Sequence, residues 1–213
     1  MAGKTFGIDF GTSTIKIYKK NEGIVLDERN IISIANKTEV IAVGDEAYEM
    51  HEKAPVNISV NYPIRNGVIA NFNDMIKLLN SLINRVGAKG STFNSVEFII
   101  ATPTDITEVE RRAFYDLVAS SNARAKKIRM VEKPIADALG VNLDVTNAHG
   151  VMIVDIGADT TEISVLALGG IVLSKLIPIG GNKLDESIKS YVKKKYNLNI
   201  QNMKRLKELK RLN

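Results

Sequence analysis

The sequence predicts an α/β fold in which mixed β-sheets carry flanking helices, and two observations support this. Strand segments come first as hairpins and then alternate with helices, which is typical of a mixed sheet. The order strand, strand, strand, helix, strand, helix, strand begins near Phe6 and starts again near Val151. The second copy has barely begun when the 213 residues end, so we expect a duplicated fold with an incomplete second half.

The duplication is clearest in two copies of one hairpin motif, at residues 8–18 and 154–165. Each copy reads as an apolar strand, an Asp, a Gly turn, hydroxyl residues and a second alternating strand. Gly lets the backbone turn sharply next to a ligand, and N–H groups and hydroxyls in such a turn can bind phosphate. One such hairpin is ordinary, but two indicate similar halves that face each other across a nucleotide. The aligned pairs are Asp9 with Asp155, Gly11 with Gly157, and Thr14 with Thr160.

The N-terminal segments predict a strand-rich region. Residues 5–18 and 23–34 predict successive strands, and residues 40–44 predict a short one. Residues 45–62 have mixed character and predict a short helix followed by a loop. We expect a small inserted subdomain at about 31–64.

The next segment predicts a helix followed by a buried strand. Asn71 or Asn73 can cap a helix that extends to about Val86. Residues 96–101 predict a strand that ends before Pro103. The apolar stripe of the helix is expected to contain Met75, Ile76, Leu79, Ile83 and Val86.

A second helix is predicted by the capping box of Thr107 and Glu110 and extends to about Ser120. Residues 127–131 predict the strand that follows it. The inward side of the helix is expected to contain Val109, Ala113, Phe114, Leu117 and Val118.

The middle of the chain predicts a domain boundary. Pro134 suits the first turn of a helix that ends near Gly140. The polar segment 142–150 that follows predicts a loop, so we expect a first half at 1–147 and the start of a second half at 148–213.

The last predicted elements follow the second hairpin. Residues 171–176 predict a third strand. After Gly180 and Gly181, Asn182 is expected to cap a helix with Asp185 at its third position. The apolar face of this helix is expected to contain Leu184, Ile188 and Val192.

Composition excludes several classes of protein. The chain has no cysteine, which excludes disulfides and thiolate metal sites, and we expect no signal peptide or membrane span. The net charge of +5 is unevenly distributed, because nine basic residues and one acid after residue 188 contribute +8. Residues 1–188 therefore carry −3, which argues against a nucleic-acid groove across the body of the protein.

Further segments keep a common order and spacing between about residues 5 and 196. They are 23–28, 63–70, 107–113, 132–140, 155–162 and 179–186. In these segments the chain resembles the actin, heat-shock chaperone and sugar-kinase superfamily, and within it the bacterial MreB family of cytoskeletal actins. The resemblance implies an actin-like, ribonuclease H-like fold whose two halves clamp ATP and Mg²⁺.

The resemblance also implies roles for individual residues. Asp9 and Asp155 match the acids that organise Mg²⁺ and its waters, and Asp155 is the expected catalytic residue. Lys16 falls where actin has a phosphate-facing lysine, although a solvated strand position is an equal alternative. The residues expected to bind the phosphates are Thr12, Ser13 and Thr14 in a first loop, and Gly157, Ala158, Asp159 and Thr160 in a second.

Two positions depart from the family pattern. Lys133 stands where the family has a water-orienting acid, and Glu132, one place earlier, points in a different direction on a helix. A protonated lysine cannot act as a base, so we expect nucleotide binding with slow or absent hydrolysis. Asp159 brings negative charge to the second loop and would either serve Mg²⁺ or weaken phosphate binding.

The chain is also shorter than the resemblance implies, and residues 199–213 lose the family pattern. These residues predict either a basic amphipathic helix for an anionic membrane or a truncated end with no role. We expect apolar strand surface of the second half to be uncovered. The apolar stripe of the segment is Met203, Leu206, Leu209 and Leu212.

The resemblance implies a filament subunit that binds ATP, self-associates and governs cell shape. It implies a cytoplasmic location on the inner face of the cell membrane and contact with the cell-wall synthesis machinery. Phe93, in the loop 87–95, falls at the membrane-dipping loop of the family, unless it packs against its own domain. The alternatives are a small-molecule kinase of the same superfamily and a non-functional actin-like fragment.

Overall fold

The computed structural model describes residues 4–51, 53–91 and 95–200. In chain order the strands are β1 (Lys4–Phe10), β2 (Thr14–Lys19), β3 (Gly23–Arg29), β4 (Ile32–Ala35), β5 (Glu39–Val43), β6 (Ile58–Asn61), β7 (Ile64–Arg65), β8 (Val68–Ile69), β9 (Val96–Thr102), β10 (Lys127–Glu132), β11 (Val151–Ile156), β12 (Thr161–Ala167) and β13 (Gly170–Ile177). The helices are α1 (Asp45–Met50), α2 (Phe72–Arg85), α3 (Glu108–Ala119), α4 (Lys133–Gly140) and α5 (Gly181–Tyr196).

A five-stranded sheet, called the first sheet below, has the strand order β10-β9-β1-β2-β3. β9 runs parallel to β1 and to β10, whereas β1, β2 and β3 pair antiparallel. Parallel neighbours need a crossover connection, and α3 supplies it between β9 and β10. The mixed α/β sheet that the sequence predicts is therefore confirmed.

One face of the first sheet carries the main hydrophobic core. The rings of Phe6 and Phe98 stack on neighbouring strands with centroids 5.7 Å apart, and Phe10 stacks on Phe114 of α3 at 5.9 Å. All four rings are buried. Because successive side chains of a strand point to opposite faces, Asp9 lies on the other side of β1 from Phe10. This alternation directs the Asp9 carboxylate away from the core.

Helix α2 begins after Asn71, whose side chain accepts a hydrogen bond from the backbone N–H of Asp74. Of the two predicted caps, Asn71 is therefore the one used and Asn73 is not. Ile76 and Val86, which the sequence predicts on the inner stripe, pack at the margin of the core and are only partly buried. The buried side of α2 contains Met75, Leu78, Leu79, Leu82 and Ile83.

Helix α3 begins with the predicted capping box. The Thr107 hydroxyl accepts from the Glu110 N–H at 3.2 Å, and the Glu110 carboxylate accepts from the Thr107 N–H at 2.8 Å. The prediction that Val109 points inward is wrong, because its side chain is 80% exposed. Val109 lies five residues before the buried Phe114, a rotation of about 140° around the helix.

A small antiparallel sheet, β5-β4-β6, and the two-stranded β7–β8 hairpin lie beside the first sheet. The prediction of only a helix and loop over 45–62 is wrong, because this segment also contains β6. The β7–β8 turn consists of Asn66 and Gly67, with φ of 51° and 79°. Two successive positive φ angles are typical of the type I′ turn that an Asn-Gly pair favours.

The second sheet contains β11, β12 and β13 in antiparallel order, as the repeated hairpin predicts. Its inner face buries Glu162, Ser164 and Leu166 of β12. Its outer face leaves apolar strand surface uncovered, as we expect from the sequence, and Met152 is 65% exposed. The other exposed apolar residues of this face are Val154, Ile156 and Leu173.

Helix α5 departs from its prediction in two respects. Its N-cap is Gly180, not Asn182, because the Asn182 side chain donates to the Asp159 carboxylate instead. The predicted apolar stripe is also not an inner face, since Leu184 and Ile188 are exposed and Asp185 is the buried residue. Helical spacing identifies a stripe but does not determine whether another element covers it.

Helix α4 lies between the two sheets. It contacts β9 and β10 of the first sheet and all three strands of the second. Pro134 lies in its first turn and Gly140 is its last residue, as predicted. Any side chain at the start of α4 is thereby placed close to both sheets.

Some sequence predictions fall outside the described residues, namely Phe93 and the stripe within residues 201–213. Within the described part of the chain, no helix is both long enough and apolar enough to cross a membrane.

The capping box of α3 supports a stability prediction. Replacing Thr107 with Ala leaves the Glu110 N–H in the first turn without its side-chain acceptor, so the free energy of unfolding should fall by about 1 kcal/mol. The exposed Val109→Ala should change it by about 0.5 kcal/mol or less. Chemical denaturation of both variants tests this, and equal stabilities would contradict it.

Candidate functional site: a cleft between the two sheets

The turns of the two repeated hairpins line one cleft of about 270 Å³ between the two sheets. Asp9 and Asp155 occupy equivalent positions in this cleft, because each is the penultimate residue of the first strand of its hairpin. The structure therefore brings together two segments that are far apart in sequence. The predicted site residues that line the cleft are Asp9, Thr12, Ser13, Thr14, Lys16, Asp155, Gly157, Ala158 and Thr160.

The first loop, residues 11–13, has a backbone that only Gly at position 11 allows. A Cβ at Gly11 would lie 2.6 Å from the Thr14 carbonyl oxygen, which is too close for any side chain. Asn30 holds the other side of the loop, because its Nδ2 donates to the Gly11 carbonyl at 2.8 Å and its N–H donates to the Ser13 carbonyl at 2.9 Å. Asn30 is fully buried. The backbone of the loop is thus constrained on both sides by the protein itself.

The second loop, residues 157–160, is held by the start of α5. The Gly181 N–H donates to the Gly157 carbonyl at 2.9 Å, and the Asn182 N–H donates to the Ala158 carbonyl at 2.8 Å. A Cβ at Gly180 would lie 2.6 Å from the Ala158 backbone, so the close approach depends on Gly at this position. The loop and the helix therefore form one rigid unit.

Asp159 does not line the cleft, unlike its neighbours in the second loop. Its carboxylate accepts from the Asn66 N–H at 3.1 Å and from Asn182 Nδ2 at 2.8 Å. The Asn66–Gly67 turn therefore contacts the second loop, and Gly67 also lies beside Thr160. In this arrangement the charge of Asp159 connects the β7–β8 hairpin to the second sheet.

Glu162 forms a second polar connection between the sheets. It is buried on β12, and its carboxylate accepts from the N–H and the hydroxyl of Thr104, which follows β9. The Ser174 hydroxyl contacts both Thr104 and Ser164, which completes a buried polar cluster. Burial of a carboxylate requires such partners, so this cluster fixes the second sheet against the end of β9.

Lys16 lines the cleft on the first-sheet side. Its ammonium donates to the Thr14 hydroxyl at 3.1 Å and lies 3.7 Å from the Asp27 carboxylate. The side chain is 41% exposed. Lys16 is thus a solvated strand residue that also faces the cleft, so the two interpretations from the sequence are compatible.

Lys133 lies between the two equivalent aspartates. Its Nζ donates to Asp155 Oδ2 at 2.8 Å and lies 3.9 Å from Asp9 Oδ1. Burial by itself would lower the pKa of Lys133, but attraction to Asp9 and the hydrogen bond to Asp155 outweigh it, and the pKa is raised. The side chain is therefore a charged ammonium in the cleft.

A Mg²⁺ ion held by both aspartates does not fit this arrangement, because the Lys133 ammonium already contacts both carboxylates. Within residues 4–51, 53–91 and 95–200, no cluster of three or more His, Cys, Asp or Glu side chains is arranged to hold a metal. The first and second loops, which contain glycine and carry hydroxyl groups, do fit a phosphate chain.

Asp137 lies one helical turn after Lys133 and is half-buried. Burial raises its pKa from 3.8 to about 6, and the negative charges of Asp155, Asp9 and Glu162 act in the same direction against the opposing effect of Lys133. Its Oδ2 is buried and has no hydrogen-bond partner among the described residues. Ionised Asp137 is thus an electrostatic cost to the folded protein at neutral pH.

Four functional residues were not identified from the sequence. Asn30 and Glu162 have ordinary positions at the end of a strand and within one, and only contacts with distant segments reveal their roles. The Asn66–Gly67 pair is a sequence signal for a two-residue hairpin turn, and this signal could have predicted the β7–β8 hairpin.

A family model and the curated relatives both indicate similarity to MreB and Mbl proteins. The sequence model of the family described as MreB/Mbl protein matches residues 3–211. The "Cell shape-determining protein Mbl" of Bacillus cereus is 38% identical over 201 residues, covering 94% of this chain and 60% of the relative. The "Cell shape-determining protein MreB" of Escherichia coli K12 is 37% identical, covering 92% of this chain and 57% of the relative.

A solved structure has the same actin-like fold. The crystal structure of MreB5 of Spiroplasma citri bound to ADP aligns with a TM-score of 0.83 and 29% identity. The alignment covers 93% of this chain and 59% of that protein. This chain thus spans about 60% of the length of the relatives it matches.

The raised pKa of Asp137 gives a prediction about stability and pH. The Asp137 carboxyl group binds its proton more tightly in the folded protein than in the unfolded chain. The free energy of unfolding should therefore fall as the pH rises from about 4 to about 6. Asp137→Asn removes that loss, so at about pH 8 it should raise the free energy of unfolding by about 1–2 kcal/mol, after allowance for partial exposure. Denaturant titrations over this pH range test the prediction, and a variant with the pH profile of the unmodified protein would contradict it.

Proposed function

Because this chain belongs to the MreB/Mbl family, we propose that it binds ATP in the cleft between its two sheets. The observation that carries the proposal is that both repeated loops line this one cleft. Each loop has a glycine where a side chain would crowd the backbone, and each offers hydroxyl groups. A phosphate chain between them would contact Thr12, Ser13 and Thr14 on one side and Gly157, Ala158 and Thr160 on the other.

The proposed role in the cell is that of an actin-like cytoskeletal subunit that governs cell shape. It follows from the relatives, which are named cell shape-determining proteins. In this role the chain associates with further copies of itself into filaments on the inner face of the cell membrane and works with the cell-wall synthesis machinery. These partners are proposed on family membership alone.

Hydrolysis of the bound nucleotide is proposed to be slow. The family's water-orienting acid is replaced by Lys133, whose raised pKa keeps it protonated. An ammonium cannot accept a proton from an attacking water. The ammonium group already contacts Asp155 and Asp9. The cleft therefore favours binding of the nucleotide over its hydrolysis.

The first test concerns ATP binding. Gly11→Ala places a Cβ 2.6 Å from the Thr14 carbonyl oxygen, so the first loop must rearrange. The affinity for a fluorescent ATP analogue should fall about tenfold or more. Gly140→Ala is the matched control, because a Cβ there meets no atom within 4 Å. Equal affinity of Gly11→Ala and the unmodified protein would contradict the proposed site.

The second test concerns hydrolysis. Lys133→Glu restores a carboxylate at the position where the family has one, so phosphate release at saturating ATP and Mg²⁺ should rise by at least ~10-fold. Lys77→Glu, on the exposed side of α2, is the control and should leave the rate unchanged. A rate for the unmodified protein that equals or exceeds that of Lys133→Glu would contradict the proposal.

A further inference from the structure

The two aspartates that would hold a divalent cation already share one ammonium group of the protein. Asp9 and Asp155 come from equivalent strand ends of the two sheets. Lys133 approaches them from the first residue of α4 and is 21% exposed. Because α4 packs against both sheets, the backbone of Lys133 is placed by the fold and not by a mobile loop.

The distances leave no room for a metal ion bound directly to both carboxylates. Mg²⁺ needs oxygen ligands at about 2.0–2.1 Å in a near-octahedral arrangement. The Lys133 Nζ lies 2.8 Å from Asp155 Oδ2 and 3.9 Å from Asp9 Oδ1, in the space between the two side chains. A divalent cation there would be repelled by the ammonium and would have to displace it from its hydrogen bond.

The ammonium is also available to a ligand. Lys133 lines the cleft together with both loops. An ammonium has three N–H donors, and one hydrogen bond, to Asp155, is made at short distance. Lys16 places a second ammonium at the first loop, beside the Thr14 hydroxyl. A phosphate chain in the cleft thus meets two lysines of the protein.

We infer that the Lys133 ammonium takes the place of the divalent cation, so that this chain binds a nucleoside di- or triphosphate without Mg²⁺. The inference rests on the proposed nucleotide binding and adds the identity of the counter-cation. It assigns Asp9 and Asp155 a different role from the expected one of organising Mg²⁺ and its waters, because in this inference they orient Lys133.

The direct test needs no variant. ATP binding by the unmodified full chain is measured by isothermal titration calorimetry with excess Mg²⁺ and with EDTA. The inference predicts dissociation constants within about threefold of each other, a difference of less than 1 kcal/mol. Binding only with Mg²⁺ would overturn the inference and leave the proposed function standing. No binding in either condition would overturn the proposed function itself.

Variants of Lys133 test whether its ammonium group supports ATP binding in the absence of Mg²⁺. Lys133→Gln removes the charge, so in EDTA its affinity should fall about 10- to 100-fold, the range for a hydrogen bond to a charged group, and Mg²⁺ should restore part of it. Lys133→Arg keeps the charge and should retain affinity in EDTA. Lys77→Gln, a surface lysine of α2, is the matched control and should bind as the unmodified protein does.

Manganese provides a readout that does not depend on nucleotide. Electron paramagnetic resonance of Mn²⁺ should show no binding to the unmodified protein. Lys133→Glu, which places a third carboxylate beside Asp9 and Asp155, should bind Mn²⁺. Mn²⁺ binding by the unmodified protein that is lost in Asp155→Asn would overturn the inference.

Discussion

The ammonium of Lys133 between the carboxylates of Asp9 and Asp155 is the interaction on which the site depends. It joins three elements at one point, namely the end of β1, the end of β11 and the start of α4. The two carboxylates lie on different sheets, and their side chains are 39% and 31% exposed. The same contact therefore connects the two sheets across the cleft and sets the electrostatics of the cleft.

Around that ion pair, polar contacts connect the sheets on either side of the cleft. Asp159 contacts the β7–β8 turn, and Glu162 contacts Thr104 at the end of β9. Asp159 lies in the second loop and Glu162 on β12, and both accept hydrogen bonds from backbone N–H groups of the first part of the chain. The second sheet is consequently held against the first part of the chain by charged groups that do not themselves need to contact a ligand. A preorganised cleft of this kind loses little entropy on binding a phosphate chain.

The sequence predicted those features of the fold that depend on contacts between residues close together in the chain. The repeated hairpins, the capping box at Thr107 and the Pro134 helix start were confirmed because each depends on residues within a few positions of one another. The α5 cap was wrong because Asn182 has a better partner in Asp159, which is distant in sequence. The direction of the Lys133 side chain was not predictable either, since it depends on how α4 packs between two sheets. Resemblance identified the position as unusual, and only the structure showed which groups the ammonium contacts.

The central claim is that both loops contact the same bound nucleotide. Hydrogen–deuterium exchange of the full chain with and without ATP measures this directly. The account predicts that ATP slows exchange at the amides of residues 11–14 and, to a similar extent, at those of residues 157–160. Protection of one loop only, or of neither at saturating ATP, would contradict it.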